Sequence, residues 1–257
     1  MREIPPQLAA VLEAFDAYHA RVAVCEERYG ALLIRDDRCP NVYDANHVRR
    51  ILSADAEVSL LLEEAERVFA DRHYRSFRLD ARVAAPRLES QLALRGYQPS
   101  AEILMTLAGD VRGRAASVRI APLEGEDAWL AWRYVKQQDT RAPWFATIGD
   151  EWVAYVRRKT PAVRYFGAFD GADLLGSFSV FLHDGVGYLE DLLVAPAARR
   201  RGVATALVAH CAHDARRRGA QLLFLPAAAD DTPKAMYAAM GFTAIGIAWN
   251  WLLRHEE

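Results

Sequence analysis

Apolar positions Leu8, Val11, Leu12, Phe15 and Tyr18 recur at helical spacing within residues 4–22, behind a Pro5-Pro6 start, and predict a helix. Tyr29–Arg35 reads as a strand closed by the turn residues Asp36-Asp37, and Pro40–Asn46 is polar and irregular. Val58–Asp71 has the pattern of an amphipathic helix, Tyr74–Leu79 of a strand, and Pro86–Arg95 of a helix stopped by Gly96. Tyr97–Leu107 reads as a further strand, and Gly109–Ala116 as a linker.

The pattern then starts afresh. Val118–Ala121 predicts a strand, Glu124–Gln138 a helix carrying Trp129, Trp132 and Val135, Asp139–Gly149 a loop, and Asp150–Lys159 a helix. Val163–Phe169, Leu174–Leu182 and Val186–Val194 predict an antiparallel meander, with Asp170-Gly171 and Asp184-Gly185 as hairpin signals. A long helix with Val203, Leu207, Val208, Cys211, Ala212 and Ala215 on one face ends at Arg216-Arg217-Arg218-Gly219. Basic residues there suit the negative end of the helix dipole, and the glycine suits a left-handed cap. Gln221–Leu225 predicts a buried strand, Pro233 opens a helix capped by Gly241, and Phe242–Leu252 is the last strand.

The stretch Tyr188–Ala206 joins strand, loop and helix. Gly202 and Ala204 keep side chains off the loop where the helix starts, so backbone N–H groups can converge with the positive end of the helix dipole on one anion. Such a nest suits a pyrophosphate. Arg199-x-x-Gly202-x-Ala204 after a strand resembles the acyl-CoA loop of the GNAT superfamily of N-acyltransferases, and Tyr237-x-x-x-Gly241-Phe242 resembles that family's terminal motif. The order of elements over about residues 117–253 is similar to the complete GNAT fold, an α/β (α+β) arrangement with a mixed central sheet flanked by helices.

The ends of the two halves overlay. Leu92-Ala-Leu-Arg-Gly96-Tyr97 falls on Tyr237-Ala-Ala-Met-Gly241-Phe242 at an offset of 241 − 96 = 145. Residues 1–110 therefore resemble a second, degenerate GNAT-like unit in tandem with a catalytic domain at 117–257. The first half has no Arg-x-x-Gly-x-Gly/Ala, and the position matching Tyr237 is Leu92, which cannot exchange a proton.

The resemblance implies an acetyl-CoA-dependent N-acetyltransferase acting on a primary amine of a small molecule or peptide. The contrasting reading is a non-catalytic acyl-CoA-binding or regulatory protein. The backbone of Leu192, Leu193 and Val194 would pair with the pantetheine arm, and Arg199, Arg200, Arg201, Gly202, Val203, Ala204 and Thr205 would hold the pyrophosphate. Tyr237 would be the general acid for the departing thiolate. An acceptor amine with a pKa of about 10 must lose a proton, which calls for a carboxylate near the meander's end. Glu190 and Asp191 stand there on alternate faces of the predicted strand, and Glu190 is preferred from the resemblance, with a water relay as the alternative. Asp231 occupies the place where many family members carry an Asn against the cofactor arm; it keeps an acceptor but loses the donor, and it or Thr232 could instead cap the following helix. Trp144, Phe145, Trp152 and Tyr155, with Asp139 and Asp150, are candidates for the acceptor pocket, although such rings are equally core residues.

Composition adds limits. With 257 residues, 52% hydrophobic and 26% charged, the chain is globular; 32 Lys plus Arg against 34 Asp plus Glu give a net charge of −2, which argues against nucleic-acid or membrane partners. Cys25, Cys39 and Cys211 show no paired spacing, as expected of reduced thiols in a cytoplasm, and His210 and His213 lack a third ligand nearby, so no metal is expected. Association as a homodimer is left open.

Overall fold

The computed structural model describes residues 4–52, 55–139 and 143–254, and the chain groups into two compact units. One comprises the chain up to Leu104, Ala227–Asp231 and the stretch from Ile245 onward; the other comprises Met105–Pro226 and Thr232–Ala244.

The first unit contains helix α1 (Pro6–His19), strands β1 (Val24–Arg28), β2 (Ala31–Arg35) and β3 (His47–Arg49), helix α2 (Val58–Val68), strand β4 (Tyr74–Leu79), helix α3 (Pro86–Leu94) and the start of β5 (Gln98–Leu107). Strands β1, β2 and β3 pair antiparallel in sequence, and β3 meets β4 in parallel at a single register position, Val48↔Phe77. The other edge of β4 pairs antiparallel with the end of the last strand, β11 (Thr243–Arg254), from Trp249↔Leu79 to Arg254↔Tyr74. A core of Leu33, Val48, Leu61, Leu62, Phe69, Phe77, Leu88, Leu92, Tyr97 and Trp251 lies between this sheet and the apolar faces of α2 and α3.

Two strands of this unit were not expected. β1 is exposed at every position, so it offers no alternation to read. β3 is short and carries His47 and Arg49, polar residues that are nonetheless buried. Arg49 donates to Asp16 (2.6 Å), which also accepts from Arg82 (2.6 Å), while Arg78 pairs with Asp44. Burial pulls the Arg49 guanidinium below its ordinary range, and the adjacent Asp16 carboxylate opposes that shift.

The second unit runs β6 (Arg119–Pro122), α4 (Gly125–Gln137), α5 (Phe145–Arg158), β7 (Val163–Asp170), β8 (Asp173–His183), β9 (Val186–Val194), α6 (Val203–Arg217), β10 (Leu222–Ala228) and α7 (Pro233–Ala239). β6, β7, β8 and β9 form the expected antiparallel meander, and β10 joins β9 in parallel. Asp184 (φ 43°) and Gly185 (φ 78°) make the β8–β9 turn with two positive φ angles, the geometry that matches strand twist. α6 lies close on the meander because both surfaces are small: a Cβ on Gly187 would stand 3.2 Å from Ala215 Cβ, and one on Gly176 would stand 3.2 Å from Leu207.

The end of the loop expected over Asp139–Gly149 is helix. α5 begins at Phe145, and Gly149 lies within its first turns, where a side chain would come within 3.1 Å of the Phe145 ring. Thr140, Arg141 and Ala142, from the middle of that expected loop, lie outside the described residues.

Candidate functional site

β9 and β10 pair only at Leu222↔Val186, Leu223↔Gly187 and Phe224↔Tyr188. Beyond Tyr188, the stretch Leu189–Val194 has β8 alone as its partner in this register, so its other edge carries backbone donors and acceptors not used by β10. Leu192, Leu193 and Val194 lie on that stretch.

β9 is not a regular strand there. Its register with β8 shifts between Ser177 and Ser179, where Leu193 and Glu190 are the respective partners, and Asp191 takes φ 55°. An extra residue therefore sits in β9, a bulge that twists the strand and breaks the simple alternation expected for Glu190 and Asp191. A left-handed conformation costs a non-glycine residue about 1–2 kcal/mol, less for Asp than for most.

Past the strand, a short 3-10 turn at Pro196–Ala198 leads into the loop. Arg200 (φ 62°) and Gly202 (φ 81°) adopt left-handed conformations, and Gly202 is the N-cap of α6. That cap makes no side-chain hydrogen bond, so the amides of Val203, Ala204 and Thr205 in the first turn keep their donors at the positive end of the helix. A groove of about 810 Å³ beside this loop is lined by Arg114, Arg119, Phe169, Arg200, Arg201 and Gly202 among others, and Arg119 stacks on Phe169 (4.6 Å to the ring centre). The residues present fit a polyphosphate: donors without a capping side chain, a glycine backbone and guanidinium groups on one side.

Arg199 stands apart from this group. Its Nε donates to the Val194 carbonyl (3.2 Å) and its Nη2 to Asp139 (3.1 Å), so its guanidinium braces the end of β9 against the end of α4. Asp139 is thereby engaged in the brace, and Asp150 pairs with Arg133 (2.7 Å) at an exposed position.

The segment before β6 runs beside α6 from its last turn to its first. Arg216 pairs with Asp110 (3.0 Å), Arg112 N–H donates to Met240 O (2.9 Å), and Ala116 N–H donates to Gly202 O (3.0 Å). A Cβ on Gly202 would lie 2.7 Å from Arg114 O and 3.0 Å from Ala116 N. The glycine is thus required by its φ and by the backbone lying against it as well as by any anion. Gly202→Val is expected to destabilise the fold by about 2–4 kcal/mol, read as a lowered urea midpoint, so loss of ligand binding in that variant would not isolate the nest.

Tyr237 is buried on α7, with its ring tilted against Phe242 at 5.7 Å. The helix closes with Phe242 N–H bonded to Tyr237 O (3.0 Å) and Gly241 at φ 104°, a left-handed C-terminal cap. Asp231 lies in the turn ahead of α7, its amide donating to Ala228 O (3.4 Å); Thr232 is the N-cap residue and makes no side-chain capping bond.

Among the acceptor candidates, Tyr155 is core, with the Lys159 ammonium over its ring at 4.1 Å. Trp144, Phe145 and Trp152 do come together, and Trp132 of α4 joins them. Sequence reasoning missed their centre, Lys136. It is buried on the apolar face of α4, one turn after Trp132, and pairs with Asp191. The signal was a lysine falling on the same helical stripe as Trp129 and Trp132.

Among the described residues no group of three or more His, Cys, Asp or Glu could hold a metal, and no helix is long and apolar enough to cross a membrane. His210 sits against the Phe166 ring (5.2 Å), where burial lowers its pKa.

A meander whose last strand parts from its parallel neighbour leads here into a glycine-capped helix. Residues 126–242 match the family model described as Acetyltransferase (GNAT) family. No curated protein sequence matches the chain. Among solved structures, a GCN5-related N-acetyltransferase from Kribbella flavida is similar in fold at 18% identity and a TM-score of 0.72, over 95% of this chain and 94% of that one. A functionally unknown conserved protein from Staphylococcus epidermidis aligns at 14% identity and a TM-score of 0.70, over 92% and 96%. A tandem GNAT protein from the clavulanic acid biosynthesis pathway aligns at 16% identity and a TM-score of 0.59, over 88% and 79%.

Proposed function

We propose that the chain is an acetyl-CoA-dependent N-acetyltransferase that transfers the acetyl group to a primary amine of a small molecule or peptide by direct attack within a ternary complex. The observation that carries this reading is the parting of β9 from β10 after Phe224↔Tyr188, on the strand that leads to the Gly202-capped start of α6. Leu192, Leu193 and Val194 would offer their backbone to the pantetheine amides, and the amides of Val203, Ala204 and Thr205, with Arg200 and Arg201, would take the pyrophosphate. Arg199 would serve by holding the end of β9 in place. Asp231 would meet the cofactor arm as an acceptor only.

In the transfer, the amine nitrogen forms a bond to the thioester carbonyl carbon while the carbon–sulfur bond breaks. Backbone N–H groups at the bulge would stabilise the developing oxyanion, Tyr237 would protonate the departing thiolate, and Glu190, directly or through water, would receive the proton the amine gives up.

The first half is read as a degenerate GNAT-like unit, with the domains at 1–110 and 117–257. Its α3 closes as α7 does: Tyr97 N–H bonds to Leu92 O (3.1 Å) and Gly96 takes φ 85°, which supports the overlay of Leu92 on Tyr237. β3 and β4, like β9 and β10, are parallel neighbours that soon part, but Arg49, Asp16 and Arg82 form ion pairs next to them. A cytoplasmic location accords with Cys25, Cys39 and Cys211, which form no disulfide.

The test is calorimetric titration of the full chain with acetyl-CoA, followed by thiol release over a panel of amines. Saturable binding with amine-dependent release of free thiol is expected; no binding of acetyl-CoA up to millimolar concentration would reject the reading.

A further inference from the structure

The Lys136 ammonium lies 5.3 Å from the ring centre of Trp132, 5.9 Å from Trp144, 6.0 Å from Phe145 and 5.4 Å from Trp152. It donates to Asp191 Oδ1, and both side chains are almost wholly buried. Rings so placed turn their negative faces to a cation, and tryptophan does so most strongly.

Three buried polar atoms around this cluster have no hydrogen-bond partner among the described residues: Asp191 Oδ2, Trp132 Nε1 and Trp152 Nε1. Buried polar atoms are almost always satisfied, and leaving one bare is costly. Three such atoms in one cluster, beside a strained Asp191 on a bulge, are better explained by a ligand than by stability. Lys136 takes one carboxylate oxygen and the other is left over, so the group can hold a second N–H donor without losing the first.

Position decides what that donor is. Asp191 lies on the bulge assigned above to the thioester oxyanion and directly precedes Leu192–Val194, the stretch assigned to the pantetheine arm. An attacking nitrogen must come within about 3–3.5 Å of the thioester carbon, so a group arriving there passes this carboxylate. We propose that Asp191 Oδ2 receives the ammonium of the acceptor, and that the acceptor is a primary amine on a flat apolar body lying against Trp144 and Trp152. This rests on the acyltransferase reading. Asp191 binds the incoming ammonium, while Glu190 keeps the role of proton acceptor. Lys136 is a positioning residue: its charge holds Oδ1 and so fixes the carboxylate.

The test uses the full chain and two probes that differ in charge, 2-phenylethylamine and 2-phenylethanol, titrated by intrinsic tryptophan fluorescence. The wild-type chain is expected to bind the amine at least about tenfold more tightly than the alcohol. Asp191→Asn should abolish that preference, and Trp152→Leu should weaken both probes. Equal affinity of the wild-type chain for amine and alcohol overturns the proposal without recourse to any variant, as does an Asp191→Asn variant that retains the preference. Acetyl-CoA binding, measured separately, distinguishes the failures. A chain that binds acetyl-CoA and acetylates amines but does not discriminate between the probes loses this site and keeps the acyltransferase reading. A chain that prefers the amine yet binds no acetyl-CoA loses the acceptor assignment together with that reading.

Discussion

Tyr237→Phe is expected to lower kcat by about 10²–10³-fold while leaving the acetyl-CoA dissociation constant within about threefold of the wild-type value. Phenylalanine keeps the buried ring and its packing against Phe242, so the α7 cap and the local fold should persist. Only the hydroxyl is lost, and with it the proton that Tyr237 is proposed to give the departing thiolate. The split between turnover and binding is the informative part. Steady-state kinetics beside calorimetry would show it, and a variant with unimpaired turnover would remove Tyr237 from the mechanism. A protein that merely binds acyl-CoA would show no turnover to lose.

The second large effect is expected far from this chemistry. Asp16→Asn should destabilise the first unit by about 3–5 kcal/mol, because it leaves buried guanidinium charge without its counter-ion. Asp16 accepts from Arg49 and from Arg82, each at 2.6 Å, and Arg49 is 3% exposed with Phe15 beneath it at 4.7 Å. Arg82 retains Asp80, but among the described residues Arg49 has no second carboxylate partner. Urea unfolding followed by far-UV circular dichroism should show an earlier transition. An unchanged midpoint would mean that water reaches Arg49 freely in the folded protein.

Both cases bear on what could be read beforehand. The meander, the long α6 and the Gly202 loop were legible because each declares itself locally, through alternation, helical periodicity and punctuating Gly and Pro. The helix that carries Tyr237 was legible because Gly241 and Phe242 mark its end. What escaped depended on distant partners. β3 hides because His47 and Arg49 are polar, and only the structure reveals that Asp16 makes the burial of Arg49 possible. Arg199 reads as a phosphate ligand until Asp139 and Val194 are seen to hold it. The bulge at Asp191 has no signature, since Asp tolerates positive φ without requiring it. Lys136 was passed over because a lysine on a helix is ordinarily solvated, and the Asp191 that buries it is 55 residues away.

The pairing of β4 with the end of β11 also has a consequence for biosynthesis. Tyr74–Leu79 leave the ribosome well before Trp249–Arg254, which cover their edge and begin 249 − 79 = 170 residues later. At about 5–20 residues per second, that edge waits for on the order of ten seconds or more with its backbone groups open to any passing strand. The nascent chain thus carries a sticky intermediate that the finished protein does not, and chaperone demand during translation should fall on the uncovered edge of Tyr74–Leu79.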